Sequence, residues 1–261
     1  MSRVFDGTDD NCNALIGSMP TAVPVTLSAW VKMDASWATG THTIVKLGDF
    51  SNYKDFFRIH AFKNSSGTTR FEASSHHGSE KKAQHGSSIA NAQWYHVCGV
   101  FTSTTSRQVY VDGVAGTANT VTSEPDAADF SHLSIGASQT SGSNANFLYG
   151  KIAEVAVWNV ALSTAEIDRL KNGSCALFVK EENLAGYWPI QGLYSASGST
   201  YSEVDFIGGS DLSPQGATID QSDNPVIHFP GLPVVKRITG APPAASSALL
   251  NVIQSYFNVN R

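Results

Sequence analysis

The segment from Gly150 to Gly173 constrains this chain more than any other, because a strand-like run passes directly into one short helix whose start and stop are both written in the sequence. Ile152 to Trp158 reads Ile-Ala-Glu-Val-Ala-Val-Trp, apolar enough for a strand buried on both faces. Ser163 and Glu166 then form a Ser-x-x-Glu capping box, and Leu162 and Ile167 occupy the two positions of a hydrophobic staple. Lys171-Asn172-Gly173 supplies a cationic last turn and a left-handed stop.

Elsewhere the apolar period is two. Thr26–Lys32, Thr43–Leu47, Phe56–Phe62, Arg70–Ser74, Tyr95–Phe101, Gln108–Val111 and His132–Ile135 read as strands, with Ser66-Gly67 and Asp112-Gly113 marking tight turns. With one helix among so many strands, the economical arrangement is all-β, two antiparallel sheets packed face to face through Greek-key connections. A charged fraction of only 15% beside 22 glycines suits a chain that spends its residues on turns, and excludes a disordered one. A net charge of −5 without a Lys/Arg run argues against nucleic acid as a partner.

Cys12, Cys98 and Cys175 are too few and too far apart for a disulfide scaffold or zinc site, so buried thiols are expected. No stretch approaches the roughly 20 apolar residues of a membrane span. The first residues carry no secretory segment; either a leader lies outside this sequence or the protein is made and assembled inside a cell.

Strand, Leu162-Ser-x-x-Glu166-Ile and short helix together resemble the closing segment of laminin-G-like domains within the concanavalin-A-like jelly rolls. Three further stretches agree: Phe5-Asp-Gly-Thr-Asp-Asp10 with the opening strand, Leu27-Ser-Ala-Trp-Val31 with the second, and Trp94-Tyr-His-Val through Val109-Tyr-Val-Asp-Gly113 with the central hairpin. The resemblance spans about residues 3–175 and implies a two-sheet antiparallel jelly-roll sandwich with one short helix.

Residues 1–230 are expected to form that domain, with 176–230 as an elaboration on it; a separate small domain is the alternative, although some 55 residues make a marginal core. Strand signals recur at Leu184–Ile190 and Val204–Leu212. Residues 231–261 begin as a Pro/Ala-rich linker. They end in an apolar extended arm, where Leu249, Ile253 and Phe257, with Leu250 and Tyr256 beside them, offer a docking stripe to a partner subunit as either helix or strand.

The superfamily includes glucanases, whose retaining members carry Glu-x-Asp-x-Glu on one strand face because nucleophile and acid must stand roughly 5 Å apart. Glu203-Val-Asp205 begins that pattern, but Ile207 and Gly208 occupy the third position and its bulged variant. The hydrolase reading is therefore rejected, and Glu203 and Asp205 are expected at the surface or in a turn. His76, His77 and His85 surround Glu80, Lys81 and Lys82 in what reads as a solvated loop, with a metal or pH-responsive role as the competing account. Asp49, Asn52 and Asp55 could supply oxygens to Ca²⁺, as loop carboxylates do in laminin-G-like and pentraxin-like relatives, or simply build a polar turn. Asp6, Asp9 and Asp10 form a second acidic group, read as shaping the opening turn.

Sugars stack on aromatics stranded in polar loops, which selects Trp37 and Tyr53, with His76 and His77 as further glycan-contact candidates. Trp30, Trp94, Trp158 and Trp188 lie within strand patterns and are expected in the core. The function expected is non-catalytic: a structural or decoration protein on a virion surface or similar assembly, anchored by its C-terminal arm and adhering to glycans. The alternative is a stand-alone extracellular carbohydrate-binding lectin module. Neither reading requires a cofactor, Ca²⁺ apart.

Overall fold

The structure, a computed structural model, describes residues 2–49, 54–86, 88–140, 143–190, 202–220 and 222–228. Residues 1–228 form one compact unit. Strands of the first sheet lie in the order Val114–Ala115, Ser106–Val111, Trp94–Ser103, Val25–Met33, Tyr149–Trp158, Ser2–Asp6 and Thr218–Asp220; Leu184–Trp188 pairs with the far half of Tyr149–Trp158. In the second sheet the order is Ser213–Gln215, Asn11–Leu15, His132–Ile135, Gly40–Gly48, Phe56–Lys63, Thr69–His77 and Ser79–His85. All these pairings are antiparallel, so the fold is the expected all-β jelly-roll sandwich.

Period-two patterning builds the core. Leu27, Ala29, Val31 and Met33 from the first sheet and Phe57, Ile59 and Ala61 from the second all point into one cluster. The two sheets approach closely at Gly99, where an added Cβ would lie 2.5 Å from the Ile59 side chain. Phe57 and Phe101 meet nearby with ring centroids 4.9 Å apart.

The helix Thr164–Lys171 starts and stops as the sequence dictates. Ser163 and Glu166 close the capping box, and Leu162 and Ile167 are both buried. At its end Ser174 N–H donates to Arg169 O and Gly173 N–H to Leu170 O, with Gly173 at φ +88°, which is a Schellman stop.

Residues after the helix join both layers. Leu184–Trp188 and Thr218–Asp220 extend the first sheet, and Ser213–Gln215 extends the second. Val204–Leu212 forms no strand of its own, only a bridge between Glu203 and Leu212. The interval 229–261, including Leu249, Leu250, Ile253, Tyr256 and Phe257, lies outside the described residues.

Several sequence expectations are overturned by burial. Glu203 is not at the surface: it is 2% exposed, and its Oε1 accepts from Arg3 Nε at 2.7 Å, Arg3 itself being buried. Asp205 does sit at a turn, as expected, but is buried there, accepting from Tyr187 N–H at 3.0 Å and Ile207 N–H at 3.1 Å. Trp158 and Trp188 are core, but Trp30 and Trp94 are only half-buried. They occupy the outward phase of their strands, where Trp94 Nε1 donates to Asp223 at 3.0 Å and the Trp30 ring tilts over His96 at 5.5 Å. Cys12, Cys98 and Cys175 are buried and in no disulfide, and burial pushes the thiols of Cys12 and Cys175 up to about 12.

Breaking the Arg3–Glu203 pair leaves one buried charge without its partner. Arg3→Ala should therefore cost about 3–5 kcal/mol in chemical denaturation. An Arg3→Met, Glu203→Leu double variant should regain most of it; a single-variant loss below about 1 kcal/mol would show that the pair does not hold the last strands to the first.

Candidate binding groove

Asp55 ties three chain segments together. Its backbone, at φ +36°, accepts from Asp49 N–H at 3.0 Å and so closes the base of the 49–55 loop. Its Oδ1 accepts from His77 Nδ1–H at 2.7 Å and from Asp126 N–H at 2.7 Å. Asp129 shares a further hydrogen bond with it. Burial alone would raise the Asp55 carboxyl, but the Asp126 N–H and the hydrogen bond and charge of His77 hold it below the ordinary carboxylate value. The same contacts raise His77, through the Asp55 hydrogen bond first and its charge second. Asp129 is raised, by desolvation and then by its hydrogen bond to Asp55 and that group's charge.

Beside this knot opens a groove of about 570 Å³ lined by Ala22, Val23, Phe57, His77, Thr104 and residues 122–127. Its far wall is fixed from within by Arg107, a buried guanidinium that donates to Asn119 Oδ1 at 2.6 Å, Thr104 O at 2.9 Å and Val121 O at 2.8 Å. Ser123 N–H donates to Thr104 O at 2.9 Å, which holds the 122–127 segment of the lining against Thr104. Ser123 is 4% exposed, and its Oγ makes no hydrogen bond. Asp126 forms part of the lip and caps the turn Ala127–Asp129 through Ala128 N–H at 2.9 Å.

On the adjoining outer face of the second sheet, charges are matched pairwise across strands. Arg58 donates to Glu80 at 2.5 Å, His60 to Glu72 at 2.8 Å and Arg70 to Glu72 at 2.5 Å, while Lys82 lies 3.1 Å from Glu80. Burial acts to raise Glu72 and Glu80, but these partners bring both down to about 2. His60 is lowered to about 4 by burial and by Arg58, so at neutral pH a neutral imidazole donates to an ionised Glu72. The His76 ring stacks on Phe56 at 5.3 Å, and Lys46, which burial lowers to about 7, lies 5.1 Å over the same ring.

Of the candidates drawn from the sequence, His77 and Asp55 converge at the groove and His76 flanks it. The expected solvated loop around them is instead a hairpin of strands Thr69–His77 and Ser79–His85, turning at Gly78, because its polar residues alternate with Ala73 and Ala83, which face the core. Trp37 is 1% exposed: its Nε1 donates to Asn91 at 3.3 Å, its edge meets His42 and Lys63 covers its face, so it has no face to offer a sugar. Tyr53 and Asn52 lie outside the described residues.

Asp49 N–H donates to Asp55 O, and Asp55 Oδ1 accepts two N–H groups; with Asn52 outside the described residues, the Asp49, Asn52 and Asp55 set is not described as a whole. Among the described residues only Asp6, Asp9 and Asp10 bring three such oxygens within 4.8 Å. There Asp6 Oδ1 accepts from Thr8 N–H and Asp10 Oδ2 from Asp6 N–H, the bonding of the opening turn. Arg107, Ser123, Glu124 and Asp126 were not singled out by sequence reasoning. The one available signal was the polar run Thr122-Ser-Glu-Pro-Asp126, which looks like any loop until it is folded beside His77.

A comparison with curated protein sequences finds no match. Among solved structures, a putative carbohydrate-binding protein from Bacteroides ovatus is similar at 18% identity, with 86% of this chain and 60% of that chain covered and a TM-score of 0.60. A heptameric SAP-like pentraxin from Limulus polyphemus is similar at 19% identity over 65% of this chain and 81% of its own, TM-score 0.52. Tailspike protein 2 of an Escherichia coli bacteriophage is similar at 14% identity over 72% of this chain and 26% of its own, TM-score 0.55. These likenesses establish a shared fold. The sequence profile of the Laminin_G_3 family, described as the concanavalin A-like lectin/glucanases superfamily, matches residues 6–168, and the chain belongs to that family.

Proposed function

We propose that this chain is a non-catalytic, extracellular or virion-surface carbohydrate-binding jelly roll whose ligand lies in the groove beside Asp55. The observation that carries the reading is a groove of about 570 Å³ with walls fixed by Arg107 and the Asp55 knot. Sugars bind where a few fixed polar groups meet a rigid concave surface, and here Thr104, Thr122 and the exposed His77 ring meet over the Phe57 floor. The name of the Bacteroides ovatus protein, a putative carbohydrate-binding protein, agrees with this use of the fold.

Absence of catalysis rests on the carboxylates. A glycosidase needs one carboxyl kept protonated to donate to the leaving oxygen. Glu72 and Glu80 are both held ionised, Glu203 is spent on Arg3, and the raised Asp129 is turned to Asp55, with which it shares a hydrogen bond. Attachment to a virion or comparable assembly is the finer part of the reading and rests on the sequence of residues 231–261, whose Leu249, Leu250, Ile253, Tyr256 and Phe257 suit a partner subunit.

On a glycan array the protein should retain binding to its preferred sugars in the presence of a chelator, and His77→Ala should weaken that binding roughly tenfold while leaving the melting temperature within a few degrees. Undiminished binding by both His77→Ala and Thr122→Ala would move the site elsewhere.

Folding stability should follow the Asp55–His77 link. The Asp55 contribution is present above its unfolded value of 3.8 and is lost as pH falls through its lower folded value. That of His77 is complete below 6.5 and is lost as pH rises through its higher folded value. The contribution of this pair to stability, measured by chemical denaturation against pH, should thus be flat between these limits, and Asp55→Asn should return the His77 midpoint, read by NMR, toward 6.5.

Removing residues 231–261 should leave a folded, sugar-binding 1–230 body that no longer joins its assembly. A truncated protein that still assembles would end the anchoring reading.

A further inference from the structure

We propose that the outer face of the second sheet carries a separate site at Arg70 and Lys82 that takes the carboxylate of a uronic-acid glycan, an inference that rests on the carbohydrate reading for its ligand class. Charge is spread unevenly along the chain. Seven of its 17 lysines and arginines but only four of its 22 carboxylates fall within residues 46–82, so that stretch is net +3 in a chain of net −5. It includes most of the strands Phe56–Lys63, Thr69–His77 and Ser79–His85. Their alternation turns Ile59, Ala61, Phe71, Ala73 and Ala83 into the core, and leaves Arg58, Phe62, Arg70, Glu72, Glu80 and Lys82 on the outer face. Arg70 lies near the start of its strand and the groove residue His77 at the end of the same strand, so the two sites are distinct.

Within that face the carboxylates lie deep and two cations lie outermost. The Glu72 side chain is fully buried and that of Glu80 is 17% exposed, against 26% for Arg70 and 30% for Lys82. Arg58, Arg70 and Lys82 share these two carboxylates, so the set is one positive charge in excess. Arg70 is also held in place: its guanidinium carbon lies 4.4 Å from the Phe62 ring centroid, and its Nε donates to Glu72 Oε1 at 2.5 Å. That occupies one N–H of five, and among the described residues Nη1 and Nη2 have no partner. A guanidinium fixed on an aromatic ring binds a carboxylate through two parallel N–H bonds, which an ammonium, as a point charge, does not. Lys82 Nζ, 6.0 Å from the same ring centroid, adds a second positive charge at the same place. A neutral sugar hydroxyl there makes neither charge-assisted bond. Single-stranded nucleic acid needs open aromatic faces for its bases, and Arg70 already lies over Phe62.

The test is calorimetric titration of the full chain, with a chelator present, using an oligogalacturonate, its methyl ester and a single-stranded DNA carrying the same number of charges. The acid should bind roughly fivefold or more tightly than the ester, as two exposed ion pairs would give, and the preference should shrink at high ionic strength. In Arg70→Gln, Lys82→Gln the ratio of acid to ester affinity should fall toward one. Arg70→Lys, which keeps the charge and loses the fork, should lower the ratio as well. The groove variant His77→Ala should leave it unchanged. Equal binding of acid and ester, or a ratio unmoved by the Arg70 and Lys82 changes, would overturn the site, and DNA binding as tight as that of the acid would overturn its ligand class. If neutral sugars bind on an array and the acid does not bind, this site falls while the groove stands. If no sugar binds at all, the carbohydrate reading itself falls, and this inference with it. Circular dichroism melts of each variant separate lost binding from lost folding.

Discussion

The strand Tyr149–Trp158 is the member on which the rest of the sandwich depends. One of its edges runs against Val25–Met33 along its whole length, while the other is divided between Ser2–Asp6 and Leu184–Trp188. Backbone groups buried this deeply must be paired, so the first and the late segments of the chain are both required to satisfy it. The division falls near Glu154, at φ +53°, where the pairing with Val25–Met33 slips and Tyr187 O–H bonds the Glu154 carboxylate. Residues after the helix are therefore part of the body of the domain, and the Arg3–Glu203 ion pair locks the same junction from the other side.

A second constraint is that the sandwich carries polar side chains on a buried sheet surface and must neutralise each one. Arg58, His60, Arg70 and Lys82 are set against Glu72 and Glu80 across neighbouring strands, and the antiparallel register makes this possible by placing Glu72 beside His60 and Gln84. The result is a rigid platform in which every carboxylate is already engaged. The groove beside this platform is walled by Arg107 and the Asp55 contacts, which fix its polar lining in place.

Strand and turn periodicity made most of the fold legible in the sequence, and the capping box, staple and Schellman stop fixed the helix to within a residue. The candidate site was legible only in fragments. His77 and Asp55 stood out as chemically active residue types, but 22 positions separate them, and Asp126 lies 71 positions beyond Asp55. Trp37 misled because a tryptophan among Asp, Ser and Gly looks stranded in solvent; the side chains that bury it, Asn91, His42 and Lys63, are distant or lie on another strand. Glu203 misled in the same way, since the arginine that makes its burial tolerable lies 200 positions away.

What the sequence determined by itself was local: alternation that commits segments to strands, glycines that permit turns, and caps that bound the helix, all effects acting within a few residues. Which face of each strand meets a partner, which charges are buried together and which polar loop is folded beside a groove were decided by tertiary structure alone. Those outcomes depend on the strand order and register that bring Asp55, His77, Arg107 and Ser123 into reach of one another, and no short-range pattern encodes that proximity.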